Sequence, residues 1–162
     1  RSRKRAGCTR SFGAKDSTES WIVDNVSAGG IGAVVSQVKG DWLRVGALLA
    51  MQPDGGANWV VGIVRRLNRT GAQEARVGIQ TLSRAPELVY FDIHGNRESA
   101  VLLPAPLGGG DTAIVLRAGI FVPGQNLENE RGGRGYMYLP QTVAERGEDY
   151  DIVKFREMVR EA

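Results

Sequence analysis

The chain has 162 residues, enough for one domain with a full core or for a small domain with an extension. Its net charge of +3 is too small for bulk attraction to nucleic acid, which is not an expected partner. A single cysteine, Cys8, and a single histidine, His94, exclude an intramolecular disulfide and a cysteine metal cluster and give no support to a Cys/His nucleophile.

No apolar run approaches the ~20 residues of a membrane-spanning helix. No signal peptide is visible, and the lone cysteine suits a reducing compartment, so the expected location is cytoplasmic. The first residue is Arg, not Met, so the sequence reads as a portion of a longer chain, with room for an upstream domain. Its 22 glycines fall mostly between short apolar runs, which favours short strands and turns over long helices.

Residues 1–10 hold five Arg/Lys and no acid, and they lack apolar periodicity. On their own they read as a disordered basic tail or as an arm that folds over an anion. A strand is expected from Glu19 to Val26, and a second through Ile31 to Val38. Leu43 to Met51 reads as a third, with Gly46 marking a bulge or a close approach. Gln52-Pro53-Asp54-Gly55-Gly56 is a turn. Trp59–Leu67 and Ala75–Leu82 form a hairpin through Asn68-Arg69-Thr70-Gly71-Ala72-Gln73, and the first is apolar on both faces, as in a buried barrel strand.

Ser83-Arg84-Ala85-Pro86 is the candidate boundary between residues 1–86 and residues 87–162. Beyond it, Leu88–Ile93 and Ser99–Leu103 are strand-like around a His94-Gly95-Asn96 turn. Thr112–Val122 is a long apolar segment broken by Gly119. Pro123–Gly135 reads as a mobile glycine-rich segment, and Tyr136–Leu139 as a strand. Residues 150–160 fit a strand running into a short C-terminal helix, because Arg156, Glu157, Arg160 and Glu161 suit helical ion pairs. The expected fold is all-β and mainly antiparallel: a barrel, then a β-rich extension or second β module.

The stretch Asp24-Asn25-Val26-Ser27-Ala28-Gly29-Gly30-Ile31-Gly32 follows the apolar run Trp21-Ile22-Val23. A strand that ends in an amide, a hydroxyl and paired glycines suits a ligand contact. The hydroxyl donates or accepts, while Gly29 and Gly30 permit positive φ and close approach.

Arg1 and Arg5 with Asn25, Ser27 and Gly30 resemble the PilZ domain, a bacterial receptor for cyclic di-GMP. That family carries Arg-x-x-x-Arg and, after a spacer, Asp/Asn-x-Ser-x-x-Gly; the spacer here is at the short end of the family range. Gly62-Ile63-Val64-Arg65-Arg66 and Ala75-Arg76-Val77-Gly78-Ile79-Gln80 resemble the family's later hairpin. The resemblance covers residues 1 to about 86 and implies a β-barrel. It implies that Arg1 and Arg5 serve guanine edges, stacking and phosphate, Asn25 a guanine edge, and Ser27 a phosphate or guanine edge, with Gly29 and Gly30 keeping the backbone clear. Arg3, Lys4 and Arg66, with its neighbour Arg65, are further candidates. A guanidinium fork matches guanine O6 and N7, and phosphates take charge-assisted donors.

The resemblance implies no enzyme, cofactor or metal, and a protein partner or neighbouring domain that senses the bound nucleotide. No Asp/Glu spacing suggests a metal site, and Gly108-Gly109-Gly110-Asp111-Thr112 lacks the lysine of a P-loop. The competing reading is a non-enzymatic β-barrel interaction domain whose basic arm contacts a protein or polyanion. Ligand stoichiometry, as a monomer or a stacked pair, is left open by the sequence.

Overall fold

Side chains alternate in and out along each half-buried strand, and this period of two builds the first barrel. In a computed structural model, residues 4–10, 18–27, 29–35, 43–53, 58–72, 74–105 and 110–160 are described; the side chains of residues 4–10, 18–20 and Pro53 are outside that description. Every regular element among the described residues is a β-strand. No helix among them is long and apolar enough to cross a membrane. Contacts divide the chain into two units, Arg1–Ala85 and Pro86–Ala162.

In the first unit β1 (Lys4–Arg10), β2 (Thr18–Val26), β3 (Gly30–Val35), β4 (Leu48–Pro53), β5 (Val60–Arg69) and β6 (Ala75–Ser83) close a barrel in the order β1-β2-β3-β6-β5-β4. All of its pairings are antiparallel. Trp21, Val23, Ile31, Ala33, Val77 and Ile79 point inward and form much of the core. Burying each such aliphatic side chain contributes about 1.5–3 kcal/mol. Outward positions of β3 and β6 alternate with these: Gly30, Gly32 and Val34 on one strand, and Arg76, Gly78 and Gln80 on the other.

The second unit comprises β7 (Glu87–Ile93), β8 (Asn96–Leu103), β9 (Thr112–Arg117), β10 (Leu127–Arg131), β11 (Arg134–Arg146) and β12 (Tyr150–Arg160). They form one sheet in the order β10-β11-β12-β9-β8-β7. Tyr138 on β11 is fully buried in the core of this unit, meeting Phe91 edge-on at 5.6 Å and Phe155 at 6.4 Å. Edge-to-face packing suits the ring quadrupoles.

Four expectations are corrected. The C-terminal segment is strand through Arg160, with no helix. Its charged residues pair across strands, Arg131 with Glu157 at 3.4 Å and Arg160 with Glu128 at 3.0 Å, and sheet pairing overrides local helix propensity. The glycine-rich segment after Pro123 contains β10 and a two-residue turn, with Gly132 and Gly133 at φ +59° and +81°, as a tight hairpin requires. β4 begins only at Leu48. Gly46, at φ +93°, lies in the turn before it and donates its N–H to the Val64 carbonyl at 2.7 Å. Finally, Lys4–Arg10 is a barrel strand between β2 and β4, not a free arm. Charge pattern carries no information about the backbone N–H and C=O groups that this pairing satisfies.

Candidate functional site: a glycine-floored groove

β2 keeps its alternation as far as Val23 and then slips by one residue. Val23 lies opposite Ala33 and Asn25 opposite Gly32, so Asp24 is the extra residue of a β-bulge. The bulge turns Asp24 and Asn25 to the same side. A Cβ placed on Gly32 would be 3.3 Å from both Asn25 Cβ and Asp24 Oδ1. Only a residue without a side chain leaves both groups undisturbed there.

β5 repeats the device. Val64 pairs with Ile79 and Arg66 with Gly78, leaving Arg65 as the extra residue. Val64 is buried and Leu67 packs on the core, while Arg65 and Arg66 between them are both exposed. Arg65 Nε donates to Gln80 Oε1 at 2.8 Å. Arg66 lies over Gly78, its Cβ 3.3 Å from where a Gly78 Cβ would stand.

Between the two bulges the pairs Gly30–Gln80, Gly32–Gly78 and Val34–Arg76 run across β3 and β6. The Gly32–Gly78 pair is bare backbone. It forms the floor of an open groove of about 1400 Å³, walled by Asp24, Asn25 and Ser27 on one side and by Arg65 and Arg66 on the other. Pockets for drug-sized ligands usually span ~300–1,000 Å³, so this groove admits a ligand larger than a mononucleotide.

The turn after β2 is fastened at several points. Ser27 N–H donates to the Gly30 carbonyl at 2.9 Å, and the Ser27 hydroxyl donates to the same oxygen at 3.4 Å. The Thr81 N–H donates to the Gly29 carbonyl at 3.1 Å, and Arg84 Nη2 donates to the Ser27 carbonyl at 2.9 Å. The hydroxyl bond is long and its donor exposed, so this group can turn to a ligand without undoing the backbone bonds. Gly30 does not use the positive φ that a glycine permits. Gly30 is required for another reason: a Cβ there would lie 2.9 Å from the Ile79 carbonyl oxygen, whereas Gly29 faces open space.

Arg76 Nη2 donates to Asp24 Oδ2 at 2.7 Å, with the side chains 60% and 23% exposed. Such an exposed pair is worth ~0–1 kcal/mol, so Arg76 can exchange this carboxylate for a ligand phosphate at little cost. Among the described residues, three guanidiniums, Arg65, Arg66 and Arg76, face one carboxylate, Asp24, around the groove.

The expected residues thus fall into two sets. Asn25, Ser27, Gly29, Gly30 and Arg66 line one groove. Arg1 and Arg3 lie outside the described residues, and Lys4 and Arg5 are described only as backbone, opposite Val23 and Ile22. Antiparallel pairing puts the start of β1 beside the motif-bearing end of β2. Asp24 and Gly32 lie within the stretch that the sequence singles out, and Arg76, Gly78 and Gln80 within the hairpin that carries the resemblance, but sequence reasoning gave none of them an individual role. The outward set Arg76, Gly78 and Gln80 was available in the alternation of β6; the bulge that recruits Asp24 was not. His94 lies in the exposed β7–β8 turn at φ +53°. No grouping of His, Cys, Asp and Glu suited to a metal ion occurs among the described residues.

No family model matches the chain. No curated protein matches it either. Among solved structures it is similar to one described as MrkH, a novel c-di-GMP dependence transcription regulatory factor, over 97% of this chain and 78% of that one, at 9% identity and a TM-score of 0.31. A likeness this faint assigns neither family nor site, and what the groove does rests on its own residues.

Proposed function

We propose that the first unit is a cyclic di-GMP receptor without catalytic activity, whose ligand lies in the glycine-floored groove and alters contact with a protein partner or neighbouring domain. One observation carries this reading. Two bulges, on β2 and β5, turn an acid–amide pair and an arginine pair to the same face on either side of the Gly32–Gly78 floor.

The chemistry matches group by group. Bare backbone accepts the flat face of a purine. Arg65 or Arg66 presents a fork to guanine O6 and N7, a contact worth about 1–3 kcal/mol of base discrimination. The Asn25 side-chain oxygen accepts from guanine N1–H or N2–H. Arg76, released from Asp24, and the Ser27 hydroxyl take the phosphodiesters as charge-assisted and neutral donors. Arg1 and Arg5 belong to this reading through the sequence resemblance, and the position of β1 at the motif end of β2 is compatible with it.

Competition tests the proposal. Cyclic di-GMP held at micromolar affinity, about −8 kcal/mol, should not be displaced by equal concentrations of GTP or cyclic di-AMP. Displacement by any polyanion, with steep salt dependence and no base preference, would favour the alternative of a general polyanion-binding barrel.

A further inference from the structure

We propose that Gln80 selects guanine over adenine in the groove, because Arg65 holds its side-chain oxygen and leaves its amide nitrogen to read the base. This rests on the receptor reading and names the residue of that site that decides its base preference. Gln80 is exposed on the outward face of β6, lines the groove and stands two residues from the Gly78 floor on the same face. Its neighbour on β3 is Gly30, which has no side chain to cover it. The Gln80 side chain is fixed from β5 instead. The bulge there leaves Arg65 exposed, and Arg65 Nε donates to Gln80 Oε1 at 2.8 Å.

That bond settles which branch of the carboxamide is which. An arginine Nε–H only donates, so the atom it meets is the oxygen and the other branch is the NH2. A bond from a cation also polarises the carboxamide, which makes its N–H a stronger donor. Arginine has no acceptor of its own. With Oε1 engaged, the Arg65–Gln80 pair therefore presents a base with donors.

The consequence for base choice is a reversal. An unanchored glutamine suits adenine, since its oxygen accepts from the 6-amino group while its nitrogen donates to N7. At Gln80 an adenine amino group brought to the oxygen would also meet the Arg65 guanidinium, donor against donor. The same edge of guanine carries O6 and N7, both acceptors. Guanine therefore takes the Gln80 Nε2–H without displacing Arg65, whereas adenine has to break the Arg65–Gln80 bond to gain its second contact.

The test is the affinity ratio of cyclic di-GMP to cyclic di-AMP, measured on the full chain by competition against fluorescent cyclic di-GMP with competitor up to millimolar. The two ligands carry the same charge, so the ratio is insensitive to a charge added to the protein. Gln80→Glu keeps a partner for Arg65 but only accepts, and it should lower the ratio about tenfold or more. Gln80→Met keeps the length and removes the donor, and it should lower the ratio about three- to tenfold. Because Gln80 is exposed, both variants should melt with the wild-type chain. A selective wild type whose ratio moves by less than about twofold in both variants would overturn the role of Gln80 and leave the receptor reading standing. A wild-type chain that binds neither ligand, or both alike, would overturn the two together.

Discussion

Asp24 on β2 and Arg76 on β6 meet at 2.7 Å across β3, which separates their strands. Because both are partly exposed, the pair positions Arg76 over the groove more than it stabilises the barrel. Asp24→Ala should therefore change unfolding free energy by less than about 1 kcal/mol. Arg76→Ala should weaken cyclic di-GMP binding about tenfold and flatten its salt dependence, as loss of one phosphate contact does. Chemical denaturation and titration at two salt concentrations measure the two effects.

The adjacent glycines of the motif should separate cleanly. Gly30→Ala brings a methyl against the Ile79 carbonyl, a backbone atom that moves only with its strand. A loss of about 1–3 kcal/mol is expected. Gly29→Ala meets nothing and should stay within about 0.5 kcal/mol of wild type. Urea denaturation of the two variants in parallel makes the comparison.

Ser27 should matter for binding and little for folding. Its backbone N–H and carbonyl hold the turn, and only the 3.4 Å hydroxyl bond is lost in Ser27→Ala. Stability should shift by less than about 0.5 kcal/mol, while cyclic di-GMP affinity falls about tenfold, the value of one good hydrogen bond to a charged acceptor. A parallel loss of Tm and affinity would mean that the residue is only part of the turn.

Much of this architecture was legible beforehand. The hairpin of β5 and β6 and the turn at His94-Gly95 follow from turn residues between alternating runs, and Asn25, Ser27 and Gly30 do line one groove. What escaped depends on partners distant in sequence. A bulge exists only relative to the opposing strand, so neither the pairing of Asp24 with Asn25 on one face nor that of Arg65 with Arg66 could be read from alternation. The end of β12 looked helical because Arg156, Glu157 and Arg160 have helical spacing, yet Glu157 and Arg160 find their partners on β10. The basic start of the chain looked unstructured because its pairing with β2 and β4 is invisible locally.

Alkaline pH should destabilise the second unit through one phenol. Burial, with the nearby Glu157 carboxylate adding to it, pushes Tyr138 up to about 12 from the ordinary 10.0. The folded state then holds the proton more tightly than the unfolded state, so this contribution is present below pH 10 and disappears as pH rises towards about 12. Tyr138→Phe removes the ionisation and should flatten that part of the stability profile. Thermal melts across the alkaline range for both proteins, with tyrosinate absorbance followed alongside, read this out.

The most direct test of the groove is isothermal titration of the chain and its Asn25→Ala variant with cyclic di-GMP, alongside GTP and cyclic di-AMP. Saturable micromolar or tighter binding of cyclic di-GMP alone, weakened at least several-fold in the variant, is the predicted result; the fitted stoichiometry then separates one ligand from a stacked pair. Absence of saturable binding to the wild-type chain, supported by a second binding method, would contradict the receptor reading and reduce Asn25-Val26-Ser27 to a structural turn.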